Sequence, residues 1–331
     1  MTRDDALPQL LQRFFTEHLV SQRNLSRHTI AAYRDSFRLL LTFLSSSCRV
    51  PLDRLCLEAL SPEMILRFLD HLERRRGNAA RTRNVRLAAI RAFVRFVVGQ
   101  ACPERLAQGH RLLAIPLKRA PKPLVGFMSR EEVEAVLAAT DPSTWSGRRD
   151  HLLFAFLYNT GARISEALSL RPADVQQRSV RLHGKGRKER QVPLWASTAR
   201  ELHRWCRSNQ IRIDQPVFTS SRGAPLSHDG AAYRLTLAVR EAEAACPSLR
   251  GKRVTPHMFR HSTAMAMLQA GVALEVIALF LGHESPLTTH GYVEADMKMK
   301  ADCLRRLDQP PAPHRQSVEQ PSRILAFLRA L

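Results

Sequence analysis

The sequence lacks the features that mark several protein classes. No apolar run approaches the roughly 18 residues of a membrane-spanning helix, so a helical membrane protein is excluded as a reading. Met1–Arg13 has no apolar stretch of the kind a secretory leader carries, and a cytosolic location is expected. The six cysteines, at positions 48, 56, 102, 206, 246 and 303, are scattered, and no CxxC or CxxH pair offers a zinc-ligand spacing. Free thiols and no metal centre are therefore expected. No GxxxxGK[ST] loop is present, so no nucleotide-phosphate cradle of that kind is expected either. Internal repeats and low-complexity tracts are missing, and Gly and Pro (14 and 19 of 331 residues) are not in excess, which excludes bulk disorder.

What the chain does have is basic charge. Lys and Arg total 51 against 30 Asp and Glu, a formal net charge of +21. Residues 1–115 hold 19 basic and 10 acidic residues, leaving 32 and 20 for the rest, so both parts are basic. That distribution suits a chain whose two parts both face a polyanion; a merely basic soluble surface fits the charge equally well. A membrane-surface role fits less well, because the charges do not gather on one amphipathic helix. At this length two domains are expected, and 44% hydrophobic residues suffice for ordinary cores.

Periodicity predicts a mainly helical fold with a small β element. In the first third, Ser26 can cap a helix bearing Ile30, Tyr33, Phe37, Leu40 and Leu41. Ser61-Pro62 opens a second, carrying Met64, Leu66, Phe68, Leu69 and Leu72, with Gly77 as its stop. A stripe of Val85, Leu87, Ile90, Phe93, Val94 and Val97 is interleaved with arginines, and together a four-helix unit with basic faces is expected. Arg81, Arg83 and Arg86 on it are candidate DNA contacts, against the plainer reading of a solvated helix face. Residues 114–128, with three prolines and no helical period, read as an extended linker. The expected organisation is a helical domain over 1–113, the linker over 114–128, a second domain over 129–308 opening on the capping box at Ser129–Glu132, and a flexible tail over 309–331 ending in a short amphipathic segment. In the second domain Arg178–His183 and Glu189–Leu194 read as a hairpin around Gly184-Lys185-Gly186-Arg187-Lys188. Helices are expected over Ser197–Ser208, Ser227–Ala244, His257–Ala270 and Leu274–Leu281.

Four fragments of the second domain carry groups that bind phosphate or move protons. Thr160-Gly-Ala-Arg163-Ile-Ser-Glu166 puts an arginine near a helix start, where its guanidinium can fork onto phosphate oxygens. The hairpin tip sets Lys185 between two glycines that permit close approach to a ligand; an ordinary basic turn would look the same. Pro256-His257-Met-Phe-Arg260-His261 presents His257 and Arg260 on one helix face. Leu281-Gly-His283 stands nine residues before Tyr292. A free tyrosine, with a pKa of about 10, is a poor nucleophile at neutral pH unless cations and a base activate it; Tyr292 could equally be a structural tyrosine. Tyr33, Tyr158 and Tyr233 lack this setting.

Singly these fragments say little; in order they resemble the tyrosine recombinases, the phage integrase family, and their Xer-like members most. The family pattern TGxRxxE, GKGxKxR, HxxRH, LGH and a later Tyr reads here TGARISE, GKGRKER, HMFRH, LGH and GY, with no departure at a catalytic position. HTIAAYRDSFRLLLTFL resembles the family's N-terminal DNA-clamping, SAM-like domain, and the likeness covers roughly residues 10–306. The resemblance implies a mixed α/β catalytic domain and a nucleophilic Tyr292 that forms a 3′-phosphotyrosine. It implies Arg163, Arg260 and His283 on the non-bridging oxygens, Lys185 as general acid, His257 as proton acceptor and Glu166 in a supporting role. Arg187 and Lys188 join the arginines of the first domain as expected DNA contacts. The resemblance also implies a double-stranded recombination site as partner, a homo-tetramer or a hetero-tetramer with related recombinases, a Holliday-junction intermediate, nucleoid association, and neither cofactor, ATP nor metal. A catalytically silent accessory subunit and a site-independent relaxing enzyme are the alternatives. The absence of a long additional N-terminal arm-binding domain favours a simple recombinase, whether for integration, dimer resolution or transposition.

Overall fold

The computed structural model describes residues 7–99, 103–120, 126–184 and 188–282, and the chain divides into two compact units, Met1–Pro123 and Leu124–Leu331. Among its described residues the first unit has helices and no strand. Helix α1 (Leu7–Arg13) runs on into π-helical turns over Phe14–Gln22, followed by α2 (Arg27–Cys48), α3 (Pro62–Arg74), α4 (Ala80–Val98) and α5 (Pro103–Ala114). The starts of α2 and α3 follow from capping: Ser26 accepts from the Thr29 N–H, and Ser61 accepts from the Met64 N–H with Pro62 in the first helical position. Phe14 anchors the core, its ring 5.3 Å from that of Phe93 and 6.1 Å from that of Phe37. Leu66 and Val85, expected inside, are 47% and 48% exposed, because each lies one position off the stripe that its helix buries.

Three α4 arginines are used inside this unit. Arg83 is only 6% exposed, lies 3.6 Å from the Glu73 carboxylate and donates to Asn84 and the Pro116 carbonyl. Arg86 donates to the Ala32 carbonyl and the Ser36 hydroxyl, and Arg91 to the Ile115 carbonyl. This corrects the expectation for Arg83, whose guanidinium is withdrawn from the surface by its ion pair; Arg86 is half-buried, and Arg81 stays exposed. The stretch after α5 is also less free than its composition suggests. Ile115 is buried, and Asn84 exchanges two hydrogen bonds with the Lys118 backbone.

The second unit comprises α6 (Arg130–Ala138), α7 (Trp145–Thr160), α8 (Ile164–Leu168), β1 (Ser179–His183), β2 (Glu189–Pro193), α9 (Ala196–Ser208), α10 (His228–Ala242), α11 (Pro256–Gln269) and α12 (Leu274–Leu281). The strands form one antiparallel pair, with Val180 opposite Val192 and His183 opposite Glu189. Helix α7 is central, burying Leu152, Leu153, Phe154, Phe156 and Leu157. The Ser129–Glu132 capping box forms as its sequence predicts, and Glu132, buried, also accepts from Ser248 and Lys252. Near the start of α7, Asp150 takes two hydrogen bonds from Arg149 and one from Arg234 of α10, and the Arg149 guanidinium lies over the Trp145 ring.

That cluster fixes a stability prediction. Arg149 and Asp150 are 4% and 3% exposed, so Asp150→Ala leaves a buried guanidinium without its carboxylate and is expected to cost about 3–5 kcal/mol. Asp35→Ala breaks an exposed pair with Arg34 and should cost under about 1 kcal/mol. Urea unfolding of the two variants checks the contrast.

Candidate catalytic site

The site is built where α8, the hairpin, α11 and α12 meet. Gly161 ends α7 with a φ of +57°, and a Cβ there would stand 2.4 Å from Leu281 Cδ2, so both backbone conformation and space require glycine. The turn places Arg163 as the non-helical residue capping α8, with its backbone N–H donating to Glu166 Oε2 at 2.8 Å. Its side chain, a third exposed, donates from Nη1 to Glu166 Oε1 at 2.7 Å.

Glu166 is the pivot. Its side chain is 2% exposed and accepts a second, two-pronged contact from Arg190 of β2, at 3.0 Å to Oε1 and 2.7 Å to Oε2. Arg190 Nε donates in turn to the Phe280 carbonyl of α12 at 3.2 Å. Burial works against the charge of Glu166, but the bonds and charge of Arg190, and then those of Arg163, outweigh it and hold the carboxyl below its ordinary range. The carboxylate therefore stabilises the fold above that range, and its contribution is lost as pH falls through the lowered value.

Arg260, on α11, is 1% exposed. Its Nη1 donates to the Gly161 carbonyl at 2.8 Å and its Nη2 to the Leu281 carbonyl at 2.6 Å. These bonds fasten the Thr160–Arg163 turn and the end of α12 to one guanidinium. One turn before it on α11, His257 packs edge-on against His261, with ring centroids 4.4 Å apart. His257 is exposed by surface area, yet its ring is desolvated by its surroundings, and the positive fields of Arg260 and Arg163 add to that. Together they keep its imidazole below the usual histidine value. At neutral pH it is a free base beside two fixed cations.

Of the residues singled out in the sequence, Arg163, Glu166, His257 and Arg260 are thus brought together. Gly184 joins them from the hairpin: a Cβ there would lie 3.3 Å from Glu166 Oε1 and 3.8 Å from Arg163 Nη1. Its N–H donates to the Lys188 carbonyl at 2.7 Å. Lys185, Arg187, His283, Tyr292 and the tail lie outside the described residues. Tyr33 is stacked on Phe14, Tyr158 is half-buried against Trp195, and Tyr233 is 63% exposed. Among the described residues no group of three or more His, Cys, Asp or Glu is placed to hold a metal ion, and no helix is long and apolar enough to cross a membrane.

Arg190 was not anticipated as part of the site, although a signal existed. It pairs with Leu182 on the strand face that buries Val180 and Val192. An arginine on an otherwise apolar strand face implies a buried acidic partner.

Residues 126–299 match the phage integrase family, and residues 12–101 match the phage integrase N-terminal SAM-like domain. A Sinorhizobium fredii protein named "Putative integrase/recombinase y4rC" is 46% identical over the whole of both chains. Tyrosine recombinase XerC of Rhizobium meliloti is 34% identical over 86% of this chain and 88% of its own. Among solved structures, the XerH site-specific recombinase bound to palindromic difH substrate superposes with a TM-score of 0.67 at 22% identity, covering 85% of this chain and 80% of that one. The Tn1549 transposon integrase in complex with transposon right end DNA gives 0.65 at 14% identity, over 89% and 98%. At these identities the structures show the shared fold.

Two outcomes follow from the geometry. In a double-mutant cycle, Glu166→Gln and Arg190→Gln should be coupled by about 0.5–3 kcal/mol in unfolding free energy, the range for groups in one network. The His257 ring proton should titrate by NMR below about 6.5, and Arg163→Gln should move that midpoint upward by removing one positive field. An unmoved midpoint would separate His257 from Arg163.

Proposed function

Because the chain belongs to the phage integrase family, we propose that it is a site-specific tyrosine recombinase that cuts and rejoins DNA. The observation that carries the reading is Arg163 held by Glu166, Arg260 bonded to the Gly161 carbonyl of the same turn and His257 in the positive field of both arginines, joined to the order of motifs that ends in Tyr292. Two buried or half-buried guanidiniums held in place before substrate arrives suit a phosphodiester whose non-bridging oxygens gain charge during reaction; preorganised charge of that kind is commonly the largest contribution to catalysis.

In this reading the Tyr292 oxygen attacks phosphorus and gives up its proton to neutral His257. A bond forms between the tyrosine oxygen and phosphorus, and the bond from phosphorus to the 5′-oxygen breaks. Lys185 supplies the proton that leaves with the 5′-hydroxyl. Arg163 and Arg260, with His283, hold the non-bridging oxygens. The phosphotyrosine conserves the bond, so rejoining requires no ATP, and the fixed cations do the work that a metal would otherwise do. Arg81, Arg187 and Lys188 contact the DNA, and phosphate contacts make binding strongly salt-dependent. Two recombination sites are brought together by four protomers, identical or related, through a Holliday junction, with the segment 323–331 of each docking on a neighbour. Integration, excision and dimer resolution share this chemistry, and the DNA site decides among them.

The test is covalent trapping on a nicked suicide duplex carrying the sequence that the protein protects from nuclease in its host DNA. Wild type should give a slow-migrating adduct on a denaturing gel. Tyr292→Phe should abolish it with DNA affinity within about twofold, and Arg163→Ala should slow it by about 10²–10³. Tight binding without any wild-type adduct would mean an accessory DNA-binding subunit instead.

A further inference from the structure

The outer face of the hairpin carries a charge arrangement that none of the motifs accounts for. His183, the last residue of β1, lies with Nε2 2.8 Å from Asp174 Oδ1 and Nδ1 3.0 Å from Glu189 Oε1. Asp174 ends the 3-10 turn Pro172–Asp174, and its other oxygen is held by the Arg171 N–H at 3.1 Å. Glu189 opens β2 directly opposite His183. Arg181, two residues back on β1, is a further charged residue on that face among the described residues.

Both partners are carboxylates, which at neutral pH only accept. A neutral imidazole has one N–H and can satisfy one of them; only the imidazolium donates to both. We propose that His183, in its doubly protonated form, is a positioning residue that clamps β1 to the Asp174 turn and to β2, thereby holding the end of β1 that stands two residues before Lys185 in the chain. The proposal rests on the recombinase reading for the role of Lys185, and on geometry alone for the clamp. In keeping with it, the Asp174 bond, followed by the charges of Asp174 and Glu189, raises the His183 pKa above the usual value despite some desolvation. A raised histidine contributes its bonds fully below the ordinary range and loses them as pH rises through the raised value.

The location gives the clamp leverage. A two-stranded hairpin is marginal without outside support. Gly184, next after His183, lies against Glu166 and Arg163, so a shift at the end of β1 is felt at the Arg163 cation.

The experiment uses the full chain as wild type, His183→Ala and His183→Arg, whose guanidinium keeps two donor ends at every pH. Amide exchange of peptides spanning 179–193, expressed as protection over the unstructured rate, is followed with pH. The His183 midpoint is read by NMR from the ring signal missing in His183→Arg. Wild-type protection should fall several-fold as pH passes that midpoint, stay level in His183→Arg, and be low throughout in His183→Ala. At saturating suicide DNA, His183→Ala should form adduct about tenfold more slowly, within the ~10²-fold that an ångström of misplacement can cost, with unchanged affinity, and His183→Arg should restore the rate above the midpoint. Protection that ignores the midpoint, or that matches wild type in His183→Ala, overturns the clamp. Loosened strands with an unchanged adduct rate overturn the positioning role alone. A wild type that forms no adduct at any pH overturns the recombinase reading and the positioning role with it, while the exchange data still decide the clamp.

Discussion

The second unit depends on one carboxylate. Glu166 is buried and would be costly to leave alone, since an unpaired charge in that setting destabilises by several kcal/mol. It is satisfied by Arg163 and Arg190, which arrive from a helix cap and from a strand some two dozen residues later. Because Arg190 also reaches the Phe280 carbonyl, the start of α8, strand β2 and the end of α12 are closed on each other by one short network. A further contact enforces that closure: at Gly282, with a φ of +67°, a Cβ would stand 3.0 Å from the Arg190 side chain. The site is thus a consequence of folding rather than a decoration on it. Any change that releases Glu166 releases the position of Arg163 too.

Arginine is the instrument throughout. Its planar fork donates to several acceptors at once and stays charged when buried. Arg260 bonds two backbone carbonyls, Arg190 a carboxylate and a carbonyl, and Arg149 a carboxylate and the Thr219 carbonyl. In the first unit Arg83, Arg86 and Arg91 do similar work. A large positive charge therefore overstates the basic surface, since part of the excess is spent inside on main-chain oxygens. Exposed arginines such as Arg81 make up the rest.

Local signals in the sequence were read well where one residue type has one physical use. Ser26, Ser61 and Ser129 cap helices, and Gly161 and Gly77 take positive φ, because few other residues can. The strands at 179–193 were legible from alternation and a glycine tip. Arginines were the weak point, because the same letter serves interior and surface. Arg83 was expected on DNA and is buried by Glu73, a partner ten residues earlier that periodicity does not pair with it. Arg190 was read as part of a motif and not as the partner of Glu166, since contact between a helix and a strand 24 residues apart has no local signature. Helix α5 extends to Ala114 and Ile115 is buried beyond it, so the proline-bearing stretch starts as packed structure before it becomes a connection.

The hairpin draws these points together. Alone, two strands of five residues would be marginal. Its inner face buries Val180, Leu182 and Val192 and is pinned by Arg190 to Glu166. Its outer face is pinned by His183 to Asp174 and Glu189. One anchor is a guanidinium that stays charged at any physiological pH, and the other is an imidazole that does not. The strand pair is consequently fixed in register by its apolar face and its arginine, while the end nearest the turn is held by a bond that protons govern. That division differs from uniform rigidity, because the register is kept even when the end of the strand adjusts.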